Sequence, residues 1–428
     1  MLVESVRLLF LDSMFEQRPD RILFPGLLTL TFSTSNPFYM HCFTLFLSPS
    51  LRHLTIVSPG FSFLESYERF KSEVFSNLET LTVVDSGSQA VDSSVVHSIL
   101  LTSRNLTKCH LGPSQPITSQ QLTFLFSLPS LQSLGMCMDP TLTSMSFIDS
   151  LNPSTPGLRE LHLACKHSAH LLILSHLLSV HSPILRKLSH FSLLLPPSTD
   201  PPAIAPIVSM LSFSLSLTHI SLQMHRDPPS DQGPEHLMED PEPLSFEEGP
   251  LYSLHCLKQL QSLVVTRIPL RLDDSLPAFF SSHWPSLTSL SFLSVADTFT
   301  LTTFYHLVVQ CPHLQNVSVP FSVTEDPTLL FDLIYSPPNP PFDRPLVLRD
   351  ACNELPSVTA ALMYTSFPLV EFVGGQGLHA AALSMIKSYY SIHHCLPDEL
   401  LLLHNYLLFH DLLDCYVIGS HPVDDIPF

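Results

Sequence analysis

The sequence contains few charged residues, and basic residues are the scarcer kind. Only 13% of its 428 residues are charged, while 45% are hydrophobic; a soluble domain usually has about 25% charged residues. The apolar content excludes disorder as the general state of the chain. Lys and Arg number 19 against 38 Asp and Glu, so the net charge is −19. This balance disfavours a nucleic acid or an anionic membrane held by overall charge.

Long hydrophobic runs and paired cysteines are also missing. The most apolar tract, 400–413, is interrupted by His404 and Asp411, so it falls short of the roughly 20 apolar residues of a spanning helix. The apolar run Leu8–Leu11 is too short for a secretory signal. The nine cysteines include no Cys-x-x-Cys pair, which favours reduced thiols. We therefore expect a cytoplasmic or nuclear protein without a membrane partner.

Motifs of common enzymes are missing as well. The sequence has no Gly-x-Ser-x-Gly elbow, no Walker loop and no His-Glu-x-x-His. Gly375 and Gly377 match the first glycines of a dinucleotide-binding fingerprint, but no surrounding βαβ unit is visible. A helix-entry turn explains these glycines better, and we predict that the protein is not an enzyme. The alternatives are a nucleotide-binding enzyme that uses the Gly375 turn, or a truncated gene product without a partner.

Two short segments of the sequence contain both histidine and cysteine. The two groups are His162, Cys165, His167 and His393, His394, Cys395. Neither has a second ligand pair at the spacing of a zinc finger. We therefore expect neither a metal site nor a cofactor.

What the sequence does contain is a repeated phrase of the type Leu-x-x-Leu-x-Leu. Most successive copies lie 24–28 residues apart, and a period in this range is typical of the leucine-rich repeat. The first leucines of the copies are Leu27, Leu51, Leu78, Leu106, Leu131, Leu158, Leu185, Leu217, Leu260, Leu287 and Leu314.

Each phrase predicts a short strand whose residues alternate between core and solvent. One copy cannot bury its own apolar face, so successive copies must stack in parallel. Segments of helical period lie between strands, at 95–100, 121–126 and 303–309. The sequence therefore predicts the α/β class: a leucine-rich-repeat solenoid (horseshoe) of about twelve repeats, with a parallel sheet on the concave face and helices on the convex face.

The repeats define the expected domain organisation. Residues 1–26 are an N-terminal cap or a truncated remnant, 27–376 are the repeat array, and 377–428 are a C-terminal helical cap. A degenerate copy of the phrase lies at 346–348. The array is interrupted by an acidic, proline-rich insertion at 226–250.

The insertion holds eight acidic residues, one basic residue and six prolines. This composition predicts a solvated, disordered loop, and an interaction tail for a basic partner is the alternative.

Pro or Ser stands just before many of the phrases, as in SPSLRHLTI, SNLETLTV, LPSLQSLGM, TPGLRELHL, WPSLTSLSF and CPHLQNVSV. In this arrangement the chain resembles the leucine-rich-repeat region of fungal F-box-type proteins over residues 20–380. The resemblance implies a non-catalytic interaction scaffold, the substrate-recognition part of an F-box-type ubiquitin ligase subunit. Residues 1–26 show no Leu-Pro-x-Glu-type opening. A cullin-ligase adaptor is therefore expected as a partner only if an F-box is encoded upstream.

The third and fifth positions of each phrase are predicted to face outward on the concave side and to bind a protein substrate or partner, with a merely solvated face as the alternative. These residues contain one acid, a local reversal of the overall charge. They are His53, Thr55, Thr80, Thr82, Lys108, His110, Ser133, Glu160, His162, Lys187, Ser189, His219 and Ser221, followed by Ser262, Ser289, Ser291, Asn316 and Ser318.

Overall fold

A computed structural model of the protein describes residues 24–33, 43, 46–58, 75–85, 93–112, 116–138, 157–180, 186–197, 199, 201–225, 244–245, 249–272, 275–293, 299–319, 346–349 and 370–373. These residues belong to two compact units. The first runs to Arg271 and includes Ser282–Leu287. The second includes Leu272–Ser281, Thr288–Leu293 and the described residues from Phe299 onward.

The first unit is built on parallel strands. They are β1 (Thr29–Ser33), β2 (His53–Ser58), β3 (Thr80–Asp85), β4 (Lys108–Leu111), β5 (Pro116–Ile117), β6 (Ser133–Met138), β7 (Glu160–Ala164), β8 (His190–Leu195), β9 (His219–Met224), β10 (Leu244–Ser245), β11 (Ser262–Thr266) and β12 (Leu270–Arg271). Within the described residues the main ladder follows chain order, β1-β2-β3-β4-β6-β7-β8-β9-β11. The short β5 pairs with β6, and β10 pairs with β12.

Helices connect many of the strands, as the helical periods predict. They are α1 (Ser93–Thr102), α2 (Ser119–Ser127), α3 (Ala169–Val180), α4 (Ala205–Leu211), α5 (Leu276–His283) and α6 (Leu301–Gln310), with 3₁₀ turns at Pro201–Ile204 and Pro250–Cys256. Within the described part of the chain, no helix has the length and apolarity needed to cross a membrane.

The core lies on one face of the ladder because the first, fourth and sixth positions of each phrase point inward. In the repeat that contains β7, Leu158, Leu161 and Leu163 are at most 2% exposed. Glu160 and His162, which alternate with them, remain partly exposed. Inward residues of neighbouring strands meet in register, so the apolar side chains form one continuous row across the repeats.

A tight turn precedes most strands and accounts for the Pro or Ser that stands before many of the phrases. The backbone N–H of Leu51 donates to the carbonyl of Ser48 at 3.0 Å, and that of Leu78 donates to Phe75 at 3.1 Å. The same bond recurs before β9 and β11, and it recurs at Leu287 and Leu314. Proline and serine suit such turns because proline presets φ and serine tolerates the local backbone.

The local sequence explains where α2 starts and ends. Thr118 is its N-cap, and Gln121 completes a capping box: the Gln121 N–H donates to the Thr118 hydroxyl at 3.3 Å and the Thr118 N–H donates to the Gln121 side-chain oxygen at 2.8 Å. The helix ends at Ser127, two residues before Pro129, whose ring disfavours the helical conformation in the residue preceding it.

The predicted phrase beginning at Leu185 is wrong by three residues. The strand β8 begins at His190, and His190 pairs with Glu160. The true first leucine is Leu188, which is 0% exposed. The phrase is therefore Leu188-x-x-Phe191-x-Leu193, in which a phenylalanine holds the central apolar position and obscures the leucine pattern.

The predicted insertion is shorter than 226–250 at its C-terminal end. Leu244–Ser245 forms β10 in register with β12, and Pro250 begins a 3₁₀ turn, a position that suits proline. The prediction of a disordered loop is therefore wrong for these residues. Residues 226–243 lie outside the described residues.

The second unit continues the repeat in four parallel strands within the described residues. They are β13 (Ser289–Leu293), β14 (Asn316–Ser318), β15 (Leu346–Arg349) and β16 (Val370–Val373), paired in that order. The degenerate copy predicted at 346–348 forms β15. Aromatic rings fill the core here: Phe292 lies 6.2 Å from both Phe280 and Phe299 between ring centroids.

The fold is therefore an α/β leucine-rich-repeat solenoid, as predicted. The described residues contain thirteen strands of the repeat ladder, close to the number expected. The predicted cap at 377–428 and the Gly375 turn lie outside the described residues, as does nearly all of 1–26.

Replacing an inward leucine tests the core. We expect Leu161→Ala to lower the free energy of unfolding by about 2–5 kcal/mol, because burial is lost and a cavity remains. The matched control is Leu172→Ala on α3, where the leucine is 64% exposed and the change should stay within about 0.5 kcal/mol. Chemical denaturation measures both, and equal effects would show that the inward register of β7 is wrong.

Candidate functional site

The outward face of the first unit carries two polar rows that cross eight adjacent strands in register. The first polar row consists of His53, Thr80, Lys108, Ser133, Glu160, His190, His219 and Ser262. The second polar row consists of Thr55, Thr82, His110, Gly135, His162, Ser192, Ser221 and Val264. Both rows arise because equivalent positions of parallel repeats lie side by side.

All the predicted outward residues of the first unit fall in these rows except two. Lys187 and Ser189 precede β8 instead of lying in it, because the phrase begins at Leu188. The outward residues of this repeat are His190 and Ser192, which the shifted alignment of the phrase missed. Lys108 is therefore the single lysine of the two rows, and it lies two strands from the single acid, Glu160.

Histidines His110 and His162 meet across the glycine that separates them. Both pair in register with Gly135, from strands on either side of it. Their ring centroids are nevertheless only 5.2 Å apart, although two strand spacings amount to about 9.5 Å. A β-carbon added at Gly135 would lie 3.1 Å from His110 Nδ1. Because Gly135 has no side chain, the rings of His110 and His162 can approach each other above it.

Ser133 links His110, one member of this pair, to Glu160. The His110 Nε2 lies 2.7 Å from the Ser133 hydroxyl oxygen, and Ser133 also forms a side-chain hydrogen bond with Glu160. Ser133 is 0% exposed, so it is covered by its neighbours in the rows and does not itself face solvent. If the ring donates and the hydroxyl donates onward, both hydrogen bonds are satisfied with a neutral imidazole.

These three groups lie close enough to act together. Each of the three residues offers one ligand atom, and these atoms of His110, Glu160 and His162 lie within 4.8 Å of one another. All three residues are half-buried. The sequence grouped His162 with Cys165 and His167 instead. The structure buries Cys165, on the opposite side of the strand from the outward His162.

Burial and hydrogen bonding fix the charge state of the cluster. Desolvation lowers the pKa of His110, and the nearby His162 and Lys108 lower it further against the opposing effect of Glu160. Desolvation likewise lowers the pKa of His162. The hydrogen bond from Ser133 is the largest cause that lowers the pKa of Glu160. At neutral pH the cluster therefore holds two neutral imidazoles and one carboxylate.

Two further histidines stack beside the cluster. The rings of His190 and His219 lie 4.1 Å apart and 12° from parallel. The hydroxyls of Ser189 and Thr218 lie 2.9 and 2.8 Å from the Nδ1 atoms of His190 and His219. Burial is the main cause that lowers the pKa of His219. The stack is thus a second ordered histidine pair on the same face.

The second unit presents serine and asparagine at the equivalent outward positions. Ser289, Ser291, Asn316 and Ser318 help to line a cavity of about 370 Å³. Its polar atoms are hydroxyl and amide groups, which can hydrogen-bond a ligand but supply no charge.

Five cysteines lie in the described part of the chain. They are Cys109, Cys137, Cys165, Cys256 and Cys311, and they form no disulfide with one another. Burial raises the pKa of Cys109 and of Cys165 to about 12. These two thiols therefore stay protonated near neutral pH and are poor nucleophiles.

Comparison with known proteins finds weak similarities to solved structures. No family model matches the chain, and no curated protein matches it. A solved structure of the Rad7 and Elc1 complex in yeast aligns over 86% of this chain and 83% of its own, with 13% identity and a TM-score of 0.42. The leucine-rich repeat-containing protein LegL7 from Legionella pneumophila aligns over 84% and 97%, with 15% identity and a TM-score of 0.36. Similarities this low support no inference about function.

The lowered histidine pKa values predict a pH-dependent stability. In the unfolded chain an imidazole protonates near pH 6.5, whereas His110, His162 and His219 resist protonation in the fold. The unfolded state therefore binds more protons below about pH 6.5, so the free energy of unfolding is fully retained above that pH and falls as the pH drops towards 5.5.

Substituting all three histidines by Gln should flatten this dependence in denaturation experiments at pH 7.5, 6.5 and 5.5. The control substitutes His97, His225 and His313, which lie outside the polar rows. Equal slopes for both triple variants would contradict the assignment.

Proposed function

We propose that the two polar rows bind a protein partner and that the chain is a non-catalytic interaction scaffold. The observation that carries this proposal is the in-register alignment of hydrogen-bonding side chains across eight strands. Parallel repeats present such faces as extended binding surfaces. An extended face of this kind suits a protein segment better than a small molecule, which usually needs a concave apolar pocket.

The charge of the rows indicates how the partner is held. After the correction at β8, Lys108 and Glu160 supply one permanent charge of each sign, and the remaining side chains are mainly hydroxyls and imidazoles. Affinity for an acidic partner by charge alone is therefore not expected at neutral pH. Recognition instead depends on hydrogen bonds and on the fit of the partner to the face.

Site-specific photocrosslinking in cells tests the surface. A photoreactive residue at Thr82, in the second polar row, should give discrete crosslinks to a partner protein. The matched control carries the same residue at Thr123, an exposed threonine on α2 on the opposite side of the repeat. Crosslinks that are equally strong at both positions, or that occur only at Thr123, would refute the proposal for the polar rows.

A more specific proposal follows from the resemblance of the repeats to those of fungal F-box-type proteins. We infer that the partner is a substrate of a ubiquitin ligase and that the chain is the recognition part of an F-box-type subunit. The Pro or Ser that stands before many of the repeat phrases supports this inference.

Two measurements test ligase membership. The gene upstream of Met1 should encode an in-frame F-box, and the complete product should co-purify with a cullin-ligase adaptor. A gene without an F-box, whose product does not bind the adaptor, would contradict ligase membership and leave the interaction surface to be judged by crosslinking alone.

A further inference from the structure

We propose that His110, Glu160 and His162 form a binding site for Zn²⁺ on the outward face of the first unit. Two imidazoles and one carboxylate are a donor set that zinc accepts, with a fourth position occupied by water or by an added ligand. The sequence separates His110 from Glu160 by 50 positions. The site therefore follows no sequence motif and arises only because β4, β6 and β7 are neighbours.

The geometry is close to that of a bound site. The three ligand atoms lie within 4.8 Å of one another. Tetrahedral zinc with bonds of about 2.0–2.1 Å holds its ligand atoms about 3.3 Å apart. We expect side-chain rotation to close this difference, because His110, Glu160 and His162 are only half-buried.

Gly135 leaves the space that the two imidazoles need in order to reach one ion. It lies in register between His110 and His162, where any side chain would fill the space that the rings share. An added β-carbon would contact His110 at 3.1 Å from Nδ1 and 3.2 Å from Cγ. Glycine is otherwise unfavourable inside a strand, where it often marks a place at which another group approaches closely.

The protonation state also suits a metal. Zinc requires neutral imidazole and ionised carboxylate, and binding displaces protons from ligands that carry them. Burial disfavours imidazolium at both His110 and His162, and the hydrogen bond from Ser133 favours the carboxylate of Glu160. Lys108 and His190 are the other charged or titratable neighbours of the cluster, and neither prevents these forms at neutral pH.

Ser133 supplies an outer partner for the site. Its hydroxyl contacts His110 and Glu160, in the way that outer hydrogen bonds orient metal ligands. A bound ion would link β4 to β7 across β6. It would therefore stabilise the fold of the first unit, because a ligand that binds only the native state raises its stability.

The test uses the purified full chain, stripped of metal with a chelator and titrated with Zn²⁺ at pH 7.5. Isothermal titration calorimetry should find one zinc ion per chain that His110→Ala, His162→Ala and Glu160→Gln each weaken at least about tenfold. Zinc should also raise the melting temperature of the wild-type chain. Co²⁺ in place of zinc should give the visible absorption of a low-symmetry site with nitrogen and oxygen ligands.

Gly135→Val is the most selective variant, because it keeps every ligand and adds a residue that favours strands. It should wedge the two imidazoles apart and remove both the zinc affinity and the zinc-dependent rise in melting temperature. If one of the ligand variants fails to fold, Gly135→Val still tests the zinc site.

The matched control is the double variant His255→Ala and His283→Ala. These rings lie 5.5 Å apart, nearly as close as His110 and His162, but the Lys258 Nζ lies 3.3 Å from His283 Nδ1 and repels a cation. The double variant should bind zinc like the wild type. The proposal is overturned if the wild-type chain binds no zinc, if Gly135→Val retains wild-type affinity, or if the control pair is the one that abolishes binding.

Discussion

The parallel register of the repeat strands is the constraint on which the rest of the structure depends. It forces each residue to lie beside the residue at the same position of the next repeat, about 4.8 Å away. Inward positions must therefore all be apolar, as Leu134, Leu161 and Phe191 are. Outward positions have no such requirement, and their chemistry is consequently set repeat by repeat.

The same register explains why one glycine changes the chemistry of the face. Where every outward position carries a side chain, a residue contacts only its immediate neighbours, as His190 contacts His219. At Gly135 the intervening side chain is missing, and His110 reaches His162 two strands away. A site with residues from three strands thereby becomes available on a sheet that otherwise offers pairwise contacts.

The polar rows also lack the excess of acid that characterises the chain as a whole. The net charge of −19 resides mostly elsewhere, and the rows use histidine, threonine and serine instead. Burial lowers the pKa of His110, His162 and His219, so these imidazoles stay neutral near neutral pH. The face is therefore suited to ligands that hydrogen-bond or coordinate, more than to ligands attracted by charge.

The repeat, the α/β class and most outward positions could be predicted from the sequence alone, because a two-residue alternation and a fixed period are local properties of the chain. The prediction is wrong at β8, where Phe191 stands in place of the expected leucine and His190, not Lys187, is an outward residue. It also failed at Leu244–Ser245, whose pairing with β12 is a tertiary contact. Only the tertiary structure brought His110, Glu160 and His162 together, because their proximity depends on strand neighbours and on the space above Gly135, and neither is encoded in any short segment.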